Sequence, residues 1–107
     1  MLTVIADITV HAGAVHKQNV LNAFAKIIPT VLQEQGCHVY QLLLDHDGGV
    51  DYQSRDSHVI TMLEHWQDMD ALNAHLQTPH MQAYQAEVAN DVVSMQVRIL
   101  EVGLPQR

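Results

Sequence analysis

"HVITMLEHWQDMDALNAHLQTPHMQAY", residues His58 to Tyr84, changes its period twice, and those changes decide the fold. Up to Trp66 the pattern is that of a strand. Ile60, Met62, Glu64 and Trp66 share one face, while Val59, Thr61, Leu63 and His65 share the other. Asp68 then stands where a side chain caps a short helix, predicted from Met69 to about His75. Thr78 followed by Pro79 is a second start signal, a cap and a first helical position whose missing N–H costs nothing. It opens another short helix, predicted to run to about Ala89.

Working outward, Leu2 to Val10 alternates, with Leu2, Val4, Ala6, Ile8 and Val10 on one face, and reads as a strand. After Gly13, apolar residues recur at Val20, Leu21, Phe24, Ile27, Ile28, Val31 and Leu32. That three-and-four spacing predicts a long amphipathic helix with Gly36 as its terminator. Pro29 falls inside it, removes one backbone bond and predicts a kink. "CHVYQLLLD" is a second strand, "DHDGGVDYQSRDS" a polar connection too long for a tight hairpin, and "DVVSMQVRILEV" a closing strand. The order is β-α-β-β-α-β with the second helix in two pieces. This predicts one α+β domain over residues 1–107, ferredoxin-like, with a four-stranded antiparallel sheet and helices on one face. Val39, Leu43, Val59 and Leu63 make the other face apolar as well. A patch of that size predicts a homodimer packed sheet against sheet.

Twelve acidic residues against five basic give a net charge of −7. With no Lys/Arg cluster, nucleic acid and anionic membrane surfaces are poor partners. No stretch approaches membrane-spanning length, and "MLTVIADITV" has no basic residue ahead of its apolar run, so it reads as a strand rather than a signal peptide. A cytoplasmic protein is expected. The single cysteine, Cys37, can form no internal disulfide and reads as a buried, inert thiol.

The chain's one tryptophan, Trp66, stands close to His75 and His80. A metal site is not expected there. The two histidines are five apart across the Thr78–Pro79 break, and there is no HExxH, cysteine pair or recognisable 2-His-1-carboxylate spacing. Nucleophilic chemistry lacks its signatures too, with no GxSxG and no Gly-rich phosphate loop. A pocket remains: Trp66, Glu64 and Met62 on one strand face, His75 at a helix end, and Phe24 and Ile28 as the opposite wall. On spacing alone, ordinary core for Trp66 and a satisfied helix-end histidine at His75 is the favoured alternative.

The stretches "MLTVIA", "VLNAFAKIIPTVLQEQGCHVY", "HVITMLEHWQD", "ALNAHLQTPHMQAY" and "RIL" change that balance. Together, and most specifically in Glu64-x-Trp66 followed by "AHLQTPHMQAY", they resemble the antibiotic-biosynthesis monooxygenase family, closest to its small bacterial quinol monooxygenases. The resemblance implies a dimeric α+β barrel that oxidises an aromatic substrate with molecular oxygen, without metal or flavin cofactor. It also implies pocket positions for Trp66 and His75, with His80 and Tyr84 nearby. In such a site His75 is expected to be the general base and Trp66 to stack on the substrate ring. Glu64 would line the cavity or orient a neighbour, and His80 is a second candidate base. Phe24, Met62 and Met81 would line an apolar space for oxygen. The family also contains haem-degrading enzymes that add a first-strand Asn to the Trp and His. Here Ile8 stands at that position with Asp7 beside it, which argues against haem degradation but leaves haem open as a ligand. An enzyme acting on a signalling metabolite and a non-enzymatic dimeric binding module stay open as alternatives.

Overall fold

The computed structural model describes residues 1–106. Its elements are β1 (Leu2–Val10), α1 (Ala14–Val31), β2 (Cys37–Leu43), β3 (Val59–Trp66), α2 (Met69–Leu76), α3 (Pro79–Glu87) and β4 (Val92–Leu100). The expected ferredoxin-like order is present. The sheet runs β2-β3-β1-β4, each neighbouring pair antiparallel.

The period-two pattern becomes packing directly. Val4, Ala6, Ile8 and Val10 of β1 and Ile60, Met62, Glu64 and Trp66 of β3 are buried beneath the helices. Register aligns Tyr40, Glu64, Val4 and Ile99 in one row across the sheet, and Leu42, Met62, Ala6 and Val97 in the next. α1 lays Val20, Ala23, Phe24, Ile27 and Val31 on this surface. Both short helices begin where their caps predict. Asp68 accepts from the Ala71 N–H at 2.9 Å and Thr78 Oγ1 from the Met81 N–H at 3.3 Å. The second of them closes at Glu87 rather than Ala89.

Gly36 plays a different part from the terminator expected of it. α1 stops at Val31, two residues beyond Pro29, and Gly36 lies further on at φ +84°. A Cβ there would stand 2.6 Å from the Ala71 Cβ and 3.2 Å from the Gln67 Cβ. The glycine therefore permits both a left-handed turn and close approach of α2.

The helices cover β2, β3 and β1 and leave β4 bare. Met95, Val97 and Ile99, on the helix side of the sheet, remain 59%, 49% and 48% exposed. On the reverse face Val39, Val59 and Leu63 are half-buried and only Leu43 is exposed. An open apolar strip thus lies on the helix side of the sheet as well. Among the described residues, no helix is long and apolar enough to cross a membrane.

Candidate active site

Between the helices and the sheet lies a cavity of about 390 Å³, walled by apolar side chains of β1, α1, α2, α3 and β4. Of the residues expected there, Phe24, Met62, Glu64, His75, Met81 and Tyr84 line it. Trp66, His80 and Ile28, the last expected beside Phe24 on the opposite wall, do not. Trp66 is fully buried behind His75, the two rings 4.6 Å apart and tilted by 36°. It supports the imidazole from the rear, so the expected stacking of Trp66 on a substrate is not what this packing provides. The strand pattern indicates which face Trp66 takes but not how deep it sits.

His75 lies in the last turn of α2 at 2% exposure, and its Nδ1 lies 2.9 Å from Glu34 Oε2. His80 Nε2 lies 2.8 Å from the same oxygen. A carboxylate oxygen accepts and does not donate, so both facing nitrogens carry their protons. His75 Nε2 is then the unprotonated nitrogen. It has no hydrogen-bond partner, yet no fully enclosed side-chain nitrogen or oxygen among the described residues lacks one. Nε2 therefore keeps some accessible surface, and His75 is among the residues that line the cavity. Burial pushes the His75 pKa below the usual 6.5, outweighing the upward pull of the Glu34 hydrogen bond, so the ring is neutral at pH 7.

Glu64 is 7% exposed and accepts a hydrogen bond from Trp66 Nε1 at 2.9 Å. Burial, with a contribution from Glu34, pushes its carboxyl above the usual glutamate range, while the Trp66 bond opposes the shift. Tyr40 donates to Met81 Sδ at 3.8 Å and meets the His75 ring edge-on at 5.3 Å. Tyr84 packs on Phe24 at 4.4 Å. Burial raises both phenols far above neutrality, so they are present as O–H donors. Cys37 is half-buried, and burial, then Glu34 and Glu64, push its thiol up to about 11. At neutral pH it is held as the protonated thiol, the weaker nucleophile, and it is less buried than expected.

Sequence reasoning missed Glu34. It follows the end of α1 and lies 41 residues from His75, with no motif to connect them. Glu34, His75 and His80 also bring possible ligand atoms within 4.8 Å of one another, a grouping that could hold a metal ion and that the histidine spacing alone did not predict. As arranged, the carboxylate is already shared by two imidazole N–H groups. At the haem-type position, Ile8 lines the cavity while Asp7 points to the reverse face and accepts from Thr61 Oγ1 at 2.7 Å. β1 thus offers the cavity no polar side chain where the Asn would stand.

A family model for antibiotic biosynthesis monooxygenases matches residues 1–87. The chain belongs to the antibiotic biosynthesis monooxygenase family. This family member is 51% identical over 104 residues to the probable quinol monooxygenase YgiN of Escherichia coli, covering 97% of this chain and 100% of that one. A solved structure from Pseudomonas aeruginosa superposes with a TM-score of 0.77 at 27% identity, covering 92% of this chain and 90% of the other. One from Nitrosomonas europaea reaches 0.80 at 16% identity, covering 97% and 100%, a likeness of fold alone.

Proposed function

We propose that this protein is a cofactor-independent monooxygenase that oxidises quinols or related hydroxy-aromatic molecules with molecular oxygen. The observation that carries the reading is His75, which lines an apolar cavity while its Nδ1 is held by Glu34, leaving Nε2 as the nitrogen free to act; burial keeps the ring neutral. A phenolic hydroxyl has a pKa of about 10, so little of the oxygen-reactive anion exists at pH 7. His75 Nε2 takes the hydroxyl proton, and the electron-rich anion reduces oxygen. One oxygen atom enters the ring and the other leaves as water, which converts quinol to hydroxyquinone. Glu64, buried and shifted toward its neutral form, faces the same space and is placed to return a proton to the departing oxygen. The volume suits one or two aromatic rings, and Phe24, Met62, Met81 and Tyr84 supply the dry, shaped wall. Trp66 serves behind the base and His80 behind Glu34. The lone thiol is in keeping with a reducing, cytoplasmic setting.

The bare strip of β4 supports a homodimer in which a second copy covers Met95, Val97 and Ile99. Light scattering is expected to give twice the chain mass, and Val97→Asp to give the monomer.

The deciding experiment is oxygen uptake by metal-stripped protein with a panel of quinols, beside His75→Ala and a no-protein control. Superoxide dismutase is included to suppress radical-chain autoxidation. Protein-dependent uptake lost in His75→Ala is the expected result. Uptake no faster than the control would overturn the oxygenase reading and favour a haem or metabolite enzyme, or a binding module, on the same scaffold.

A further inference from the structure

We propose that Glu34 and His80 are positioning residues: His80 holds the Glu34 carboxylate, and Glu34 holds His75 in the one tautomer that can act as a base toward the cavity. The inference rests on the reading of His75 as general base. Neither residue lines the cavity, so neither touches a bound substrate.

An imidazole has two nitrogens, and only one is unprotonated in the neutral ring. For His75 the choice decides function. With the proton on Nε2, the ring would present a donor to the cavity and could accept nothing from a phenol. Glu34 settles the matter by accepting from Nδ1 at 2.9 Å. The carboxylate is itself on the segment after α1, partly exposed, with no helix to fix its rotamer. His80, in the first turn of α3, supplies what the backbone does not, donating to the same Oε2 at 2.8 Å. Three segments, the α1–β2 turn, α2 and α3, thus converge on one oxygen atom. Once His75 accepts the substrate proton on Nε2, the ring becomes a buried cation, and Glu34 is the counter-charge in contact with it. The groups facing the ring are Glu34 from the turn, Tyr40 from β2, Glu64 from β3 beyond Trp66, and His80 from α3. Among these, Glu34 is the carboxylate hydrogen-bonded to His75.

This organisation also explains the order of the pieces. The Thr78–Pro79 break starts a new helix whose first turn brings His80 to the same Glu34 oxygen that His75 reaches. Thr78 Oγ1 donates to the His75 carbonyl at 2.7 Å while it caps α3, which ties the base and its second-neighbour histidine into one rigid corner.

The test uses ¹⁵N-labelled full-length protein without substrate, so that it does not depend on turnover. Histidine ring ¹⁵N shifts report which nitrogen of His75 carries the proton. The expected result is Nδ1–H in the wild type, and loss of that preference in Glu34→Gln, with partial recovery in Glu34→Asp. The kinetic arm is expected to show kcat reduced roughly 10- to 100-fold in Glu34→Gln while KM moves by less than about twofold. The acid limb of its kcat/KM profile moves to lower pH, because the ring loses its counter-charge. His80→Ala is expected to loosen the same tautomer preference and lower kcat less. A wild-type ring protonated on Nε2, or a preference unchanged in Glu34→Gln, would overturn the inference. An unchanged tautomer in His80→Ala removes His80 from the arrangement. Nδ1–H in a protein that oxidises no quinol would sink the oxygenase reading and leave the positioning assignment standing.

Discussion

Two carboxylates in this molecule are built alike and put to different ends. Glu34 Oε2 accepts from His75 and His80; Asp91 Oδ1 accepts from His16 Nδ1 at 2.8 Å and Asn19 Nδ2 at 3.0 Å. Each is one oxygen shared by two nitrogen donors across long sequence separations. The difference lies in the remaining nitrogen of the imidazole. His75 is enclosed, backed by Trp66, and lines a cavity. His16 has a side chain about one-third exposed (32%), lies beside the His11 ring and reaches no cavity described above. Asp91 therefore fastens the start of α1 to the turn before β4, and the same chemistry at Glu34 prepares a base. A histidine–carboxylate contact becomes a site only when the free nitrogen has somewhere to act.

The sharpest test of this contrast exchanges the two histidines in turn. His75→Ala is expected to lose about 10²- to 10⁴-fold in quinol-dependent oxygen uptake, whereas His16→Ala keeps the wild-type rate and lowers Tm. In the wild type, the rate should fall as pH drops through a value below 6.5, since burial lowers the His75 pKa. An equal loss of rate in His16→Ala would break the distinction. Trp66→Ala probes the backing of the ring. Removing a fully buried indole is expected to cost about 3–5 kcal/mol in urea unfolding. Retained stability with weakened quinol binding would instead make Trp66 a substrate contact.

A smaller effect is expected at the fastening carboxylate. Hydrogen bonds from Asn19 and His16 hold the Asp91 pKa below the usual 3.8, so its stabilising share is present above that value and is lost as pH falls through the lowered one. Asp91→Asn should flatten the acid arm of a urea-midpoint series without changing turnover. The smallest effect on stability is that of Glu64→Gln, which keeps an oxygen acceptor for Trp66 Nε1. Because burial raises the Glu64 pKa, ionising it destabilises the fold as pH rises past the usual 4.5. The variant is expected to gain up to about 1 kcal/mol at neutral pH, a gain that vanishes as pH falls below that value. A constant gain at every pH would remove ionisation as its cause.

What could be seen in the sequence was what local physics writes there. Strand faces follow from a period of two, and Asp68 and Thr78–Pro79 mark helix starts because a cap acts within three residues. The buried set of β1 and β3 was legible for the same reason. Depth and distance were not. Periodicity cannot say that Trp66 lies behind His75 or that the helices stop short of β4, because both depend on how far layers slide over one another. Glu34 was invisible for a plainer reason: it acts across a separation of 41 residues from a turn with no periodic pattern. The resemblance identified Trp66 and His75 as a pair, and the structure shows that only His75 meets the cavity.

Gly36 has a consequence for that geometry. Its absent methyl group would collide with Ala71, one helical turn ahead of His75, and with Gln67, whose N–H donates to the Gly36 carbonyl at 2.8 Å. An alanine there would force α2 to retreat from the turn that carries Glu34. The bond between Glu34 and His75 is 2.9 Å, near the usual optimum for N–H···O, so a retreat of a few tenths of an ångström would begin to stretch and weaken it. The residue with no side chain is the shim that sets the clearance of the base.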